Sequence, residues 1–317
     1  MTTRVGFFPH NNSLFVLRHR NLLEQKLDDV TWVDLRELPS GPKPGVREGL
    51  PTVHADHLFT EEGYDVIGTG FTPPITGLGQ GHDLVYIGIS QPRVENGRLV
   101  AKAGSGISTV ADLRGKKIGI GHGSWQTTLL LFALEQVGLG WDDVEPVDVG
   151  GDAADLFLAG AIDAWTGSYP ELSRVEQETE VTTLVETDGL FSHPSLWFTR
   201  RDFAVERTDE LAAVIDALQE SDARIVADPR EAAEFFVADA QAHGQPASVE
   251  AWEHALAHRP FGLNPVDDTF LDEQQHAADL LFANGLLPKA VDVRTAVLPE
   301  VSALVEKSRS AVAQSAG

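Results

Sequence analysis

Residues 116–137, KKIGIGHGSWQTTLLLFALEQV, contain an apolar strand, a glycine-rich turn and an apolar helix in direct succession. Segment 116–121 is predicted as a buried strand because small and branched apolar residues follow its two lysines. From about residue 127 to residue 137 the chain lacks glycine and proline, which favours a helix. A strand, a turn and a helix in this order form the repeating unit of an α/β fold.

The same alternation of strand and helix continues on both sides of this segment. Further strands are predicted at 4–8, 30–35, 64–68, 84–88, 99–101, 142–149 and 161–165, and helices at 13–26 and 152–159. Beyond residue 208 the chain is mostly helical, over 209–227, 229–242, 249–257 and 270–284. This order predicts parallel βαβ units followed by a helical C-terminal part.

Changes in composition indicate that the chain crosses twice between two lobes. One crossing is predicted at 91–97 and the return at about 191–199. We therefore expect residues 1–91 plus about 197–317 to form lobe 1, and residues 92–196 to form lobe 2. Two lobes joined by two crossings predict a hinged domain with a ligand at the carboxyl ends of its strands.

The charge balance and the cysteine count narrow the classes of function. The chain has 24 basic and 48 acidic residues, a formal net charge of −24, which disfavours nucleic acid and anionic membrane surfaces as partners. It contains no cysteine, which excludes disulfides, thiolate metal sites and a cysteine nucleophile. No cofactor fingerprint is present, so no cofactor is expected.

The N-terminus bears on the cellular compartment. The first residues, MTTRVGFFPH, reach a predicted strand without the basic segment, apolar core and cleavage site of a secretory signal. No run approaches the ~18–20 apolar residues of a membrane span, so membrane insertion is not expected. As written, the sequence predicts a cytoplasmic protein, or an extracytoplasmic one if a signal segment has been removed.

Three polar loops that follow predicted strands carry the candidate ligand-binding residues. Backbone N–H groups, hydroxyls and the positive end of a helix dipole suit a sulfonate, sulfinate, phosphate or carboxylate. The alternative is that these loops are only structural turns and that the serine caps its helix. The candidates are His10, Asn11 and Asn12 in the first loop, Thr69, Gly70 and Thr72 in the second, and Gly123, Ser124, Trp125 and Gln126 in the third.

Histidine chemistry provides a further candidate. His54 lies in a long, proline-rich connection at 39–62 and is predicted as a ligand donor or a general acid/base. A metal site would need further ligands such as His10, His82 or His122. Histidines close together in sequence rarely converge on one ion, so no metal is expected.

Aromatic side chains are common in the walls of small-molecule clefts. Trp165, at the end of a predicted strand, is a candidate wall residue, although tryptophan is also a frequent core residue. The segment of His193, Pro194 and Ser195, and Arg259, are weaker candidates.

Several segments together resemble the sulfonate and taurine solute-binding proteins of ABC importers, within the superfamily that includes thiamine-pyrimidine synthase-like proteins. The resemblance implies a type II periplasmic-binding-protein-like α/β fold with an interlobe cleft that binds a small organic anion. It also implies an ABC permease as a partner. The segments that carry it are YDVIGTGFTPPI at 64–75, VYIG at 85–88, STVADLRGKKI at 108–118, AIDAW at 161–165 and NGLLPK at 284–289.

A second resemblance is to the aromatic sulfinate desulfinase of the same fold, a cytoplasmic lyase. It rests on Thr52-Val53-His54 in the long connection and on Gly123-Ser124-Trp125 at the helix start. That enzyme also uses a cysteine and an arginine. This chain has no cysteine, and no arginine lies at 64–68 where the enzyme's would fall. The alternative function is therefore a desulfinase-like lyase that uses His54 as acid/base, without a cysteine nucleophile.

Overall fold

Two five-stranded sheets organise the residues that the computed structural model describes, namely 1–38, 57–60, 63–93, 97–169 and 171–315. Their order is β2-β1-β3-β10-β4 in the first sheet and β7-β6-β8-β5-β9 in the second. The strands are β1 (Thr3–Phe7), β2 (Val30–Asp34), β3 (Val66–Thr69), β4 (Leu84–Ile89), β5 (Arg98–Lys102), β6 (Lys117–Ile120), β7 (Glu145–Asp148), β8 (Ala164–Gly167), β9 (Val181–Glu186) and β10 (Leu196–Arg200).

Helices cover both sheets and make up most of the C-terminal part. They are α1 (Asn12–Arg20), α2 (Pro73–Gln80), α3 (Trp125–Gln136), α4 (Ala153–Ala159), α5 (Glu171–Glu178), α6 (Arg201–Glu206), α7 (Thr208–Ala227), α8 (Pro229–Ala242), α9 (Val249–Ala257), α10 (Asp268–Ala283) and α11 (Pro299–Ser315). In the part of the chain that the structure describes, no helix combines the length and the apolar character needed to cross a bilayer.

Each sheet is mixed rather than fully parallel, which corrects the prediction of parallel βαβ units alone. β1 is parallel to β2 and β3, and β6 is parallel to β7 and β8. β10 runs antiparallel to β3 and β4, and β5 runs antiparallel to β8 and β9.

The antiparallel strands are the first ones that the chain forms after each crossing between the sheets. The chain leaves the first sheet at the carboxyl end of β4 and leaves the second at the carboxyl end of β9. It therefore enters the next sheet at the edge where the parallel strands end, and it must run in the opposite direction. The carboxyl ends of the parallel strands of both sheets, and both crossings, therefore lie at one cleft.

The two halves are in direct contact near this cleft. The hydroxyl groups of Thr72, before α2, and Thr128, in α3, form a buried hydrogen bond of 2.7 Å. α3 also packs against α10, and Gln274 in α10 donates to the carbonyl of Phe71.

The predicted elements agree with most observed ones in type but not in every boundary. α8 and α9 have the predicted bounds, whereas α3 begins at Trp125 because Ser124 caps it. β9, β10, α5, α6 and α11 were not predicted, and β10 begins within the segment 191–199 that was interpreted as the return crossing. The lobe boundaries at 91/92 and about 196/197 stay a prediction.

Candidate functional site

A cavity of about 160 Å³ lies where the strand ends of the two sheets face each other. We call it the interlobe cavity. Loops that follow β1, β3, β4, β6 and β8 all contribute to it, together with the segment that precedes β10 and the loop after α9. Its lining residues are Phe8, His10, Asn11, Thr69, Gly70, Pro73, Arg93, Ser124, Trp125, Ser168, His193 and Arg259.

Two arginines, Arg93 and Arg259, give this cavity its cationic character. Both side chains are partly buried, and neither forms an ion pair with a carboxylate that the structure describes. Loss of hydration, reinforced by the charge of Arg259, lowers the pKa of Arg93 to about 9. Loss of hydration lowers the pKa of Arg259 to about 10, and Glu171 partly opposes this. Both remain cations at neutral pH, and two like charges in one cavity favour an anion between them.

The crossing between the sheets holds Arg93 in place. Its backbone N–H donates to the carbonyl of Ser192 at 3.0 Å, and its guanidinium donates to the hydroxyl of Ser195. Ser195 in turn donates its backbone N–H to the hydroxyl of Ser90 at 2.9 Å. The outgoing crossing, through Ser90 and Arg93, is thus hydrogen-bonded to Ser192 and Ser195 of the returning crossing.

Arg259 is positioned by a different set of contacts. Its guanidinium donates to the side-chain oxygen of Asn12, at the start of α1. The loop that follows it is fixed to α7, because Gly262 N–H donates to the Asp222 carboxylate at 2.9 Å and Leu263 N–H donates to Gln219 at 3.0 Å. Burial raises the pKa of Asp222 to about 6.

Trp125 and His193 form an aromatic wall of the cavity. Their ring centroids are 4.5 Å apart with an interplanar angle of 29°. The far edge of the indole packs on Gly97, where a Cβ would lie 2.3 Å from two ring carbons of Trp125. Only glycine at residue 97 therefore leaves room for this tryptophan orientation.

The two histidines of the cavity are biased toward the neutral form. Burial, with the charges of Arg93 and Arg259, holds the pKa of His193 well below its usual range. Neither ring nitrogen of His193 has a hydrogen-bond partner among the described residues, and its backbone has a φ of 41°, which is uncommon outside glycine. Desolvation within the cleft also lowers the pKa of His10, which Glu171 partly opposes. A neutral imidazole can still donate or accept one hydrogen bond to a ligand.

The glycine-rich loop after β6 is largely satisfied internally. Gly121 N–H donates to the side-chain oxygen of Gln126, and Gly123 N–H donates to the Thr127 hydroxyl. The Ser124 hydroxyl donates to the Gly121 carbonyl at 2.7 Å. Ser124 also accepts from Gln126 N–H, so its side chain caps α3. The Ser124 hydroxyl therefore acts as a helix cap, as the alternative interpretation of this loop predicted. The residue also lines the cavity.

The structure brings six of the predicted residues to the cavity wall: His10, Asn11, Thr69, Gly70, Ser124 and Trp125. Asn12 instead accepts from Arg259, and Thr72 bonds to Thr128 between the sheets. Gly123 N–H donates to Thr127 within the loop. The Gln126 side chain accepts from Gly121 N–H and donates to the Thr166 carbonyl of β8 at 2.7 Å.

Two further predicted residues are not part of the wall that the structure describes. Trp165 is buried in the core of the second sheet, with its ring centroid 6.0 Å from that of Phe157. His54 lies outside the described residues. Among the residues that are described, no group of three histidine or acidic side chains is arranged to hold a metal ion.

Arg93 is a cavity-lining cation that sequence reasoning missed. It lies four residues past Ile89, the last residue of β4, and so it follows a strand like the candidate loops. It was not predicted as a site residue because segment 91–97 was interpreted only as a crossing between the lobes. Phe8, Pro73 and Ser168 also line the cavity, as do the weaker candidates His193 and Arg259.

The chain belongs to the NMT1/THI5-like family, which matches residues 60–232. An aliphatic sulfonates-binding protein of Escherichia coli (strain K12) is 31% identical over 295 residues, which cover 92% of this chain and 86% of that one. A thiamine biosynthesis protein of Haemophilus influenzae is 29% identical over 68% of this chain and 69% of its own length. The predicted family resemblance is therefore confirmed.

Solved structures confirm the periplasmic-binding-protein-like α/β fold. The alkanesulfonate-binding protein SsuA from Xanthomonas axonopodis pv. citri, bound to MOPS, superimposes with a TM-score of 0.77 at 29% identity and covers 94% of this chain and 98% of that one. The periplasmic aliphatic sulphonate binding protein SsuA from Escherichia coli also gives 0.77, at 28% identity, with coverage of 94% and 92%. The desulfurization enzyme DSZB gives 0.65 at 16% identity, which shows a common fold only.

Proposed function

We propose that this protein binds a small organic anion of the sulfonate class in the interlobe cavity and acts as the solute-binding component of an ABC importer. The observation that carries the proposal is the pair Arg93 and Arg259, two cations without a carboxylate partner in the described structure, beside the aromatic wall of Trp125. The names of the E. coli and X. axonopodis relatives, which span nearly the whole chain, support the sulfonate class.

Recognition combines charge and packing. The guanidinium groups of Arg93 and Arg259 donate to the oxygens of the acid group, and Trp125 packs against the organic part. The acidic net charge of −24 does not prevent this, because two nearby cations in a desolvated cleft dominate the local potential.

Hinge closure would couple binding to the relative position of the two sheets. The residues of the cavity come from both sheets and from both crossings, so a ligand that contacts all of them favours the closed arrangement. The buried hydrogen bond between Thr72 and Thr128 forms only when the helices after β3 and β6 are in contact.

An extracytoplasmic location and an ABC permease as partner follow from this role. The E. coli relative is a periplasmic protein by its name. Fractionation of the native host by osmotic shock, with an antibody against this chain, tests the location. Recovery only with cytoplasmic markers would contradict the importer role.

The function is tested by isothermal titration calorimetry with ethanesulfonate in Tris–HCl, because sulfonate buffers would compete. We expect saturable binding with a stoichiometry of one and a raised melting temperature. Acetate tests whether a carboxylate can replace the sulfonate, and tetramethylammonium, a cation, tests whether binding requires a negative charge. Absence of binding by every sulfonate tried would overturn the proposal.

Mass spectrometry of the ligand after incubation separates binding from catalysis. A sulfonate recovered intact supports a binding protein. Loss of a sulfinate or sulfonate group from the ligand would instead support the desulfinase-like lyase.

A further inference from the structure

Helix α10 lies next to the interlobe cavity, although none of its residues, all of which the structure describes, lines the cavity. Its buried residues recur every three or four positions, and this face packs on the first sheet. The ring centroid of Phe270 lies 5.7 Å from that of Phe71 and 6.4 Å from that of Tyr86 in β4. The Gln274 amide donates to the carbonyl of Phe71 at 3.1 Å, in the loop after β3. These contacts fix α10 to the first sheet.

Glu273, the residue before Gln274, holds the crossing that returns from the second sheet. One oxygen of its carboxylate accepts the backbone N–H of Ser192 at 2.7 Å, and the other accepts from the Ser192 hydroxyl. A donor at each oxygen matches the acceptor capacity of an ionised carboxylate. One side chain therefore fixes both the backbone and the hydroxyl of Ser192.

Ser192 transmits this constraint to Arg93. The Ser192 carbonyl accepts the backbone N–H of Arg93 at 3.0 Å, and the Arg93 guanidinium donates to Ser195, three residues further along the same crossing. Arg93, Ser192 and Glu273 also line one pocket of about 230 Å³. The hydrogen bonds of Ser192 therefore connect the Glu273 carboxylate to the backbone of Arg93.

The contact between Glu273 and Ser192 ties Arg93 to the sheet that also holds Arg259. Arg259 donates to Asn12 at the start of α1, the helix that follows β1 of the first sheet. Two cations repel each other, so protein contacts must hold them close when no anion is bound. A pair that is already in place loses less conformational freedom when the ligand binds.

We propose that Glu273 is a positioning residue for anion binding: its carboxylate fixes Ser192 and, through the Ser192 carbonyl, holds Arg93 beside Arg259. This inference rests on the proposed function, because it concerns the same two arginines and the same acid group. It adds a side chain outside the cavity wall on which the affinity for the ligand depends.

Charge and position predict opposite effects when Glu273 is replaced. Glu273 is a negative charge in a pocket that Arg93 also lines, so removal of this charge alone would favour an anion at the site. Loss of the hydrogen bonds to Ser192 would instead let Arg93 move and would weaken binding. The direction of the change in affinity therefore separates positioning from a simple electrostatic effect.

The test is titration calorimetry of ethanesulfonate in Tris–HCl with two variants of Glu273. Glu273→Ala removes both acceptors and is expected to weaken binding roughly tenfold. Glu273→Gln keeps one side-chain oxygen that can accept from Ser192, and it is expected to weaken binding only about threefold. Asp272→Asn is the matched control, because it removes the same charge from an exposed residue of the same helix that pairs with Arg294. Its affinity should stay within about twofold of wild type.

A double-mutant cycle with Arg93 distinguishes positioning from a general loss of structure. If Glu273 acts through Arg93, Glu273→Gln should cause no further loss of affinity in an Arg93→Met background. Equal losses in the wild-type and Arg93→Met backgrounds would overturn the inference.

Unchanged or tighter binding in Glu273→Ala would also overturn it. If Glu273→Ala does not fold, as judged by circular dichroism, Glu273→Gln decides the question, and wild-type affinity in that variant overturns the inference. Failure of the wild-type protein to bind ethanesulfonate would instead count against the proposed function itself. The two kinds of failure are therefore distinguishable.

Discussion

Trp125 stacks on His193 at a centroid distance of 4.5 Å, and this contact joins the helix after β6 to the crossing that returns to the first sheet. Both rings line the interlobe cavity, beside Arg93. Because His193 is held in its neutral form, the stack adds no positive charge near the two arginines. The site therefore combines a neutral aromatic wall with a cationic pair.

Replacement of Arg93 tests the cationic pair. Arg93→Met is expected to weaken ethanesulfonate binding roughly 10- to 100-fold, because it removes charge-assisted hydrogen bonds worth about 1.5–3 kcal/mol. The same change is expected to raise the free energy of unfolding of the unliganded protein, since it removes a desolvated charge that Arg259 repels. Calorimetry and urea unfolding measure the two effects. Arg230→Met, at an exposed arginine paired with Glu253, is the control, and unchanged binding in Arg93→Met would contradict the assignment.

Replacement of Gly97 tests the orientation of the aromatic wall. Gly97→Ala places a methyl group against the Trp125 ring, which must then move, and ligand affinity is expected to fall about tenfold. Trp125→Phe shortens the side chain, so the double variant should bind no more weakly than Trp125→Phe alone.

The control for this cycle is Gly151→Ala, where an added methyl group meets no atom within 4 Å. Ligand titration of wild type, Gly97→Ala, Trp125→Phe and the double variant gives the coupling free energy between residues 97 and 125. Strictly additive losses would contradict a direct contact between these two positions.

The hydrogen bond between Thr72 and Thr128 is expected to stabilise the contact between the two halves. Thr72→Val leaves a buried hydroxyl without its partner and should lower the free energy of unfolding by about 1–3 kcal/mol. The double variant Thr72→Val/Thr128→Val removes both hydroxyls and should regain part of this loss. Urea unfolding of Thr72→Val, Thr128→Val and the double variant, each compared with wild type, measures the coupling, and a single variant as stable as wild type would rule out a stabilising bond.

Asp222 is expected to make stability depend on pH. Its pKa is about 6 in the folded protein, above the ordinary value of 3.8, so the folded state binds the proton more tightly than the unfolded state. The resulting stabilisation is fully present below about pH 4 and is lost as the pH rises through 6. The difference between the two pKa values corresponds to about 3 kcal/mol.

The measurement is the free energy of unfolding between pH 4 and 8 for wild type and Asp222→Asn. The wild-type contribution should fall with rising pH, and the variant should show a flatter profile over this window. Parallel profiles would show that another group is responsible.

The loops of the site were predictable because parallel strands end at a common edge. Segments 116–121 and 64–68 each contain branched apolar residues and are followed by glycine and hydroxyl residues, which is sufficient to predict strand-to-helix turns near a ligand. His10, Thr69 and Trp125 were found in this way. Nothing local distinguishes a loop side chain that lines the cavity from one that bonds elsewhere in the protein. Gln126, which bonds to Gly121 of its own loop, and Thr72, which bonds to Thr128, were therefore included as well.

Trp165 shows the limit of composition-based reasoning. A tryptophan at a strand end suits either a cleft wall or a core, and strand alternation alone does not say which face is covered. In the structure its strand is buried on both faces, and the ring packs toward Phe157 in the core.

The sequence by itself determined the α/β class, the family and three of the loops at the strand ends, and it predicted two lobes. These features depend on local patterns of apolar residues, glycines and helix caps. Only the tertiary structure decided where the positive charge comes from. Arg93 and Arg259 are 166 residues apart in the chain, and they share one cavity because a crossing and a C-terminal loop meet at the ends of the strands. Electrostatic interaction depends on distance in space and on loss of hydration, and neither is encoded in the residues next to an arginine.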